Sequence, residues 1–132
     1  MLSYEESLNF IHGLNRFGTK LGLQNITKLL ELLGNPHKNI KVVHVAGTNG
    51  KGSTCAMIDS ILRCAGLKVG LYVSPYLEVF NERMQINGEN ISNEDLARLT
   101  EKVQEKVFYM RENCLGSPTE FEVVTAIGFL YF

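Results

Sequence analysis

The sequence lacks a strong charge of either sign. Its 13 Lys and Arg residues nearly balance 14 Asp and Glu residues, giving a formal net charge of −1 and a pI near 6.3. Surfaces that bind nucleic acid or anionic membranes need a clustered excess of Lys and Arg. The charge therefore predicts that neither nucleic acid nor a membrane is a partner of this chain.

Cysteine is scarce, and long apolar runs are absent. The three cysteines, Cys55, Cys64 and Cys114, are odd in number and form no CxxC motif or Cys/His cluster. Disulfide frameworks and zinc sites need paired or closely spaced ligands, so we expect reduced thiols and a cytoplasmic location. The longest uncharged apolar run, 123–132, is too short to span a bilayer.

What is present is the composition of one soluble domain. The 132 residues are 45% apolar and 20% charged, which is enough chain to bury a core. The final residues, "GFLYF", lie inside an apolar pattern with no cap and no polar tail. Because natural termini are usually polar and frayed, we expect the chain to be truncated after the helix that ends at Phe132.

Helical and strand patterns alternate along the chain. Residues 40–46 are β-branched and apolar on both faces, which predicts a buried parallel strand, and "KVGLYV" at 68–73 predicts a second strand. Asn87-Gly88 predicts the turn of a short hairpin. The predicted helices are 4–12, 24–33, 53–65, 92–113 and 119–132.

The order of strand, loop, helix and strand is the βαβ pattern of a parallel α/β sheet. In the helix of 53–65, the apolar spacing predicts that Ile58, Ile61 and Leu62 face inward. Only two good sheet strands are predicted, which again indicates an incomplete domain.

A glycine-rich loop stands between the first strand and the helix that follows, in the stretch "HVAGTNGKGST" at 44–54. Gly47, Gly50 and Gly52 let the backbone come close to phosphate oxygens, with amides of the loop and of the first helical turn pointing at the anion. Lys51 supplies a full positive charge for the β- and γ-phosphates. The loop therefore predicts a phosphate site.

The spacing of this loop departs from the usual P-loop pattern. Gly47 stands three residues before Gly50, and Gly52 separates Lys51 from the hydroxyl of Ser53. The alternative is a βα turn that binds nothing, but such a turn needs only one or two glycines and no lysine at its apex. The departure itself indicates a particular kind of nucleotide loop.

In this form, "GTNGKGS" resembles the nucleotide loop of the Mur-ligase superfamily, and its Gly-Ser ending looks like the branch of folylpolyglutamate and dihydrofolate synthases. The resemblance runs over essentially all 132 residues. It implies an α/β fold class, the start of a Mur-ligase-type P-loop nucleotide-binding domain with a parallel sheet. The other stretches that carry it are "LGLQNITKLLELLGNP", "YVSPYLEVFNERMQING" and "TEFEVVTAIGFLYF".

The resemblance implies an ATP-dependent ligase. ATP phosphorylates a carboxylate of the pterin substrate, tetrahydrofolate or dihydropteroate, and the amine of L-glutamate then displaces phosphate, with Mg²⁺ as cofactor. Phosphoryl transfer depends mainly on positioning and charge neutralisation, so Lys51 is the expected catalytic residue. The expected ATP-binding residues are Gly47, Thr48, Asn49, Gly50, Lys51, Gly52 and Ser53.

Two further positions match family motifs. Ser74, at the end of the second strand, matches the Mg²⁺-binding serine, and ligands bind at the carboxyl ends of strands in such sheets. The competing interpretation is a turn that starts before Pro75. Thr119 matches a pteroate-contacting position, although Thr119-x-x-Glu122 is also a sufficient capping box.

More folate contacts are expected in two loops. Thr19, Lys20 and Leu21 correspond to a pterin-side loop, through "LGL" alone. Arg83 could meet a substrate carboxylate, but Glu82 and Arg83 could equally be solvated charges.

Other parts of the family are not found in this sequence. The resemblance assigns residues 1–132 to the N-terminal part of the ATP-binding domain, and the C-terminal glutamate-binding domain is absent. We therefore expect the chain alone to be inactive, with that C-terminal portion as a further partner. The alternatives are a non-catalytic ATP- or phosphate-binding module, half of a split protein, or a Mur-type ligase for another substrate. Gly52 and the stretch "FNER" are arguments against the last of these.

Overall fold

The computed structural model describes residues 1–14 and 22–132, so Thr19, Lys20 and Leu21 lie outside the described residues. The chain divides into two compact units. Met1–Ile40 and Asn93–Tyr131 form the first, called here the helical unit. Lys41–Ser92 and Phe132 form the second, called here the glycine-loop unit.

The helical unit consists of α1 Tyr4–His12, α2 Gln24–Leu32, a 3-10 turn at Pro36–Asn39, α4 Asn93–Glu112 and α5 Glu120–Tyr131. Helix α1 packs on α4 and α5, and α2 also packs on both. Apolar side chains of these helices form a core, and full burial of each one contributes about 1.5–3 kcal/mol relative to exposure. The core residues of this unit include Ile11, Leu29, Leu30, Leu96, Val103, Val107, Met110, Val123, Val124 and Ile127.

A local signal accounts for the start of α1. The Ser3 hydroxyl accepts from the Glu6 amide at 3.1 Å, and the Glu6 carboxylate accepts from the Ser3 amide at 2.7 Å, which completes a capping box before α1. The predicted bounds are confirmed for α1 and lie within one residue of those observed for α2, α4 and α5.

The glycine-loop unit contains α3 Lys51–Cys64, β1 Gly70–Tyr72, a 3-10 turn at Phe80–Arg83, β2 Met84–Ile86 and β3 Glu89–Asn90. The strands form an antiparallel sheet in the order β1-β2-β3, with Leu71 opposite Gln85 and Gln85 opposite Asn90. Asn87 and Gly88 have φ of 51° and 83°, as a two-residue type I′ turn requires, so the predicted hairpin turn is confirmed.

The buried parallel strand predicted at 40–46 is not formed among the described residues. No strand among them pairs with 41–46, and Val42 and Val43 are 64% and 65% exposed. A strand is defined by its neighbour, and 68–73 takes its neighbour from the next extended segment along the chain, which runs antiparallel to it. An apolar pattern predicts extended backbone, but it does not predict which strand will pair with that segment.

Helix α3 also differs from its prediction. It begins at Lys51, two residues before the expected start, and Ile61 is 67% exposed instead of facing inward. The buried residue on this helix is Asp59, whose Oδ2 accepts from Nε of Arg63 at 2.9 Å while Oδ1 is buried without a partner. Arg63 lies next to the hairpin turn, with its NH1 nitrogen 3.5 Å from the Asn87 carbonyl oxygen.

Candidate functional site

The glycine loop runs directly into the N-terminus of α3. Gly50 is the N-cap residue and has a left-handed backbone, with φ 74° and ψ 6°, and its carbonyl accepts from the Thr54 amide at 2.9 Å. L-residues with a Cβ rarely adopt this conformation, which explains a glycine at 50. No side chain caps this helix, so the amides of its first turn are available to an anion.

Lys51 folds back over the loop that precedes it. Its Nζ donates to the Gly47 carbonyl oxygen at 2.6 Å, while the side chain stays exposed. The ammonium group, the amides of the first helical turn and the positive end of the helix dipole therefore lie together at one end of α3. Such an arrangement is suited to binding phosphate groups, because each component favours negative charge at the same place.

Gly52 differs from Gly50. A Cβ at Gly52 would meet nothing within 4 Å, and its φ is not in the left-handed region. Neither packing nor backbone conformation within the chain therefore requires a glycine at 52. Thr48, Asn49 and Ser53 are exposed around the same loop, so all seven expected ATP-binding residues lie in one contiguous exposed segment.

A second loop of the glycine-loop unit spans 74–83. Ser74 opens it and is exposed, two residues after the end of β1 and joined to Pro75 by a cis peptide bond. Glu82 stands near its other end, and its carboxylate accepts from backbone amides across the loop. These amides lower the pKa of Glu82, the one from Leu77 having the largest effect.

Arg83 is buried, with 8% of its surface exposed, at the base of this loop. Its guanidinium carbon lies 5.4 Å from the centre of the Phe80 ring, a cation–π arrangement, and the Tyr76 ring meets the same Phe80 ring edge-on at 5.8 Å. The Nε of Arg83 is buried and has no hydrogen-bond partner. A buried unsatisfied donor on a cation is costly, so this group is suited to meeting an anionic ligand.

Thr119 lies in the helical unit and starts α5. Its amide donates to Oε2 of Glu122 at 2.8 Å, its hydroxyl is 3.0 Å from the same oxygen, and the Glu122 amide donates to the Thr119 hydroxyl at 3.3 Å. The predicted capping box is therefore confirmed. Its expected contact with pteroate stays a prediction.

Known proteins resemble this chain over nearly its whole length. No protein-family model matches the chain. The dihydrofolate synthase/folylpolyglutamate synthase of Bacillus subtilis is 46% identical over 130 residues, which cover 98% of this chain and 30% of that protein. The crystal structure of folylpolyglutamate synthase from Thermotoga maritima aligns with a TM-score of 0.89 at 43% identity, covering 98% of this chain and 30% of that one.

The chain belongs to the folylpolyglutamate and dihydrofolate synthase family. The predicted Mur-ligase-type fold class is also confirmed, because solved structures of folylpolyglutamate synthase align with nearly the whole chain. A structure described as a folylpolyglutamate synthase complex with AMPPCP and folate aligns at a TM-score of 0.93 and 36% identity, covering 99% of this chain and 32% of that one. The chain thus spans about a third of the length of the synthases that it matches.

Metal ligands are few in the part of the synthase fold that the structure describes. It holds no cluster of three or more His, Cys, Asp or Glu side chains arranged to bind a metal ion. Ser74 contributes one exposed hydroxyl, which fits a single Mg²⁺ ligand but does not complete a site, because Mg²⁺ takes octahedral oxygen coordination. No described helix has both the length and the apolar character to cross a membrane.

The role of Glu82 in this loop could not be predicted from the sequence. Its sequence context is equally compatible with a solvated charge, whereas in the structure its carboxylate accepts hydrogen bonds from three backbone amides. The available signal was its i, i+3 spacing from Val79, the spacing at which an acidic side chain reaches back to an amide in a capping box. Because position 79 carries no hydroxyl, the motif was incomplete and the signal weak.

Proposed function

We propose that this chain carries the ATP-binding loop and part of the folate surface of an ATP-dependent ligase that adds L-glutamate to tetrahydrofolates, to dihydropteroate, or to both. The observation that carries the proposal is the glycine loop, where Lys51 folds over the Gly47 carbonyl at the uncapped N-terminus of α3. Membership of the synthase family and the AMPPCP and folate complex of a relative support it.

The reaction has two steps. A carboxylate oxygen of the pterin substrate attacks the γ-phosphorus of ATP, the bond to the β–γ bridging oxygen breaks, and ADP leaves. The amine of L-glutamate then attacks the acyl carbon, phosphate departs with the electron pair of its C–O bond, and the amine loses a proton. The amides and charge at the start of α3 would hold the phosphates and offset the negative charge that spreads over them.

The ATP contacts would come from the glycine loop. Lys51 leaves the Gly47 carbonyl and binds the β- and γ-phosphates, while Thr48, Asn49 and Ser53 line the same loop. The remaining ATP contacts would come from Gly47, Gly50 and Gly52.

Folate and metal contacts lie elsewhere in the proposal. Arg83 would meet a carboxylate of the folate, since its buried Nε has no partner within the chain. Thr119 would meet the pteroate part while it caps α5. Ser74 would supply one hydroxyl to Mg²⁺, which shields phosphate charge when bound. The roles of Thr19, Lys20 and Leu21 remain as the resemblance gives them.

We further propose that residues 1–132 are the N-terminal part of an ATP-binding domain and do not complete the reaction alone. The described residues hold no carboxylate cluster to complete a Mg²⁺ site. The same observation favours the second candidate, a module that binds ATP without catalysis. ADP and glutamylated folate formed from ATP, folate and L-glutamate by the pure chain would contradict inactivity and exclude the module.

Calorimetric titration of Mg-ATP tests the loop. Lys51→Ala should weaken binding by about tenfold or more, because a charge-assisted contact to phosphate is lost. Lys68→Ala, which removes an exposed lysine from the same unit, should leave the affinity unchanged. Equal affinity in the parent and in Lys51→Ala, with unchanged circular dichroism, would rule out this loop as the ATP site.

A further inference from the structure

The loop of 74–83 is closed by one side chain. The Glu82 carboxylate accepts hydrogen bonds from three consecutive backbone amides. The Leu77 amide donates to Oε2 at 2.8 Å, and the Glu78 and Val79 amides each donate to Oε1 at 2.9 Å. The Glu82 amide in turn donates to the Val79 carbonyl at 3.1 Å. Hydrogen bonds to an ionised acceptor are about twice as strong as neutral ones, so this closure is a strong local constraint.

Burial does not hold the same residues in place. Leu77 is 92% exposed and Val79 is 48% exposed, so packing fixes neither of them. A loop of this kind usually moves, because few buried contacts oppose its opening. The three amide bonds to Glu82 therefore decide the conformation of 77–79, and the lowered pKa of Glu82 is consistent with that ionised, amide-bound carboxylate.

The closure acts next to the residue proposed to meet folate. Arg83 follows Glu82 in the chain, and its guanidinium lies over the Phe80 ring, which also contacts Tyr76. The Arg83 carbonyl accepts from the Val73 amide at 3.0 Å, which ties the end of the loop to β1. Glu82 thus links the exposed part of the loop to the short segment that sets where the Arg83 guanidinium points.

We propose that Glu82 is a positioning residue, whose carboxylate holds 77–79 and thereby fixes the Phe80 and Arg83 side chains where the anionic part of a folate binds. The inference rests on the proposed folate contact of Arg83. Glu82 itself would contact neither ATP nor folate, and its effect on the ligand passes through the loop.

Three variants test it. Glu82→Ala removes both acceptor oxygens and with them all three hydrogen bonds, whereas Glu82→Gln keeps one carbonyl oxygen for Glu78 and Val79 but places an NH₂ donor against the Leu77 amide. Glu78→Gln is the matched control: it removes the same charge from an exposed residue of the same loop. Folate and Mg-ATP are titrated separately into each variant, and amide hydrogen exchange is measured at residues 77–79.

The expected result is selective and graded. Folate should bind about tenfold more weakly to Glu82→Gln and weaker still to Glu82→Ala, while Mg-ATP affinity and the Glu78→Gln control stay unchanged. The amides of 77–79 should be protected in the parent chain and exchange rapidly in Glu82→Ala. A parallel loss of folate and Mg-ATP binding would indicate general damage and overturn the positioning role.

The other outcomes are also decisive. Equal folate affinity in the parent and Glu82→Ala, or unprotected amides at 77–79 in the parent, would overturn the inference. A parent chain that binds no folate would instead overturn the proposed folate contact, and with it the ligand part of the inference. In that case the exchange measurement still decides by itself whether Glu82 orders the loop.

Discussion

The helical unit and the glycine-loop unit are held together in different ways. In the helical unit, apolar side chains from four helices are fully buried, among them Leu29, Val103 and Ile127 at 0% exposure. In the glycine-loop unit, Phe80, Met84 and Ile91 are also buried, but six other large apolar side chains are more than half exposed. These are Val42, Val43, Met57, Ile61, Leu67 and Leu77.

Specific hydrogen bonds supply order where the glycine-loop unit has little apolar burial. Glu82 binds three amides, Asp59 pairs with Arg63 on α3, and the Asn87 side chain accepts from the Val69 amide at 2.9 Å. Each net contribution of this kind is about 0.5–1.5 kcal/mol, or more where an ionised group takes part. The segment around the candidate ATP site, residues 42–67, therefore gains less from apolar burial than the helical unit does.

The largest expected effect comes from a matched pair of isoleucines. Ile127→Ala in α5 should lower the free energy of unfolding by about 2–5 kcal/mol, because it leaves a cavity in a fully buried site. Ile61→Ala in α3, at 67% exposure, should change it by no more than about 0.5 kcal/mol. Urea unfolding measures both. Similar losses in the two variants would show that the contrast between the units is false.

A pair of glycines gives a smaller effect. Gly50→Ala should cost about 1–2 kcal/mol, because alanine is strained at φ 74°. Gly52→Ala should stabilise the fold by up to about 1 kcal/mol, since it replaces a glycine in a helix where a Cβ meets nothing.

For each of these two glycine variants, both the Mg-ATP affinity and the stability in urea should be measured and compared. If phosphate approaches the backbone at 52, Gly52→Ala loses Mg-ATP affinity although it is the more stable variant. Retained affinity in Gly52→Ala would remove residue 52 from the proposed ATP site.

The smallest effect separates two roles of Thr119. Thr119→Val should cost about 1 kcal/mol of stability through loss of the α5 cap, while Thr119→Ser should retain most of it, because a serine hydroxyl can accept the Glu122 amide. Thermal unfolding measures the cap, and folate titration measures the ligand contact. Weaker folate binding in Thr119→Ser with unchanged stability would support a pteroate contact, and equal binding in all three would leave only the cap.

The helices of this protein could be predicted because their signals are local. The Ser3 and Glu6 box starts α1, and the Thr119 and Glu122 box starts α5. Apolar spacing gives the buried face of the helices in the helical unit, but not of α3, where Ile61 is exposed. The glycine loop was predictable for the same reason, since seven consecutive residues carry it. The roles assigned to those residues stay predictions until ligand binding is measured.

Sheet pairing and the surroundings of Arg83 could not be predicted in this way. The extended segment 41–46 has the apolar pattern of a buried strand, yet Val42 and Val43 are exposed, because burial and pairing depend on what lies beside a segment. In the sequence, Arg83 and Glu82 are both charged residues in a loop, and no local pattern distinguishes their surroundings. One is buried over an aromatic ring and the other binds three amides, which only the path of 74–83 decides.

Local residue patterns and residue order were enough to predict the helices of the helical unit, the hairpin turn at Asn87-Gly88 and the family. Only the tertiary structure decided the antiparallel direction of the sheet, the exposure of Ile61 and the closure of the loop by Glu82. The direction of the sheet and the exposure of Ile61 depend on contacts between segments that meet only after folding, and such contacts leave no periodic trace in the sequence. The closure by Glu82 is local, but its capping motif is incomplete because position 79 carries no hydroxyl.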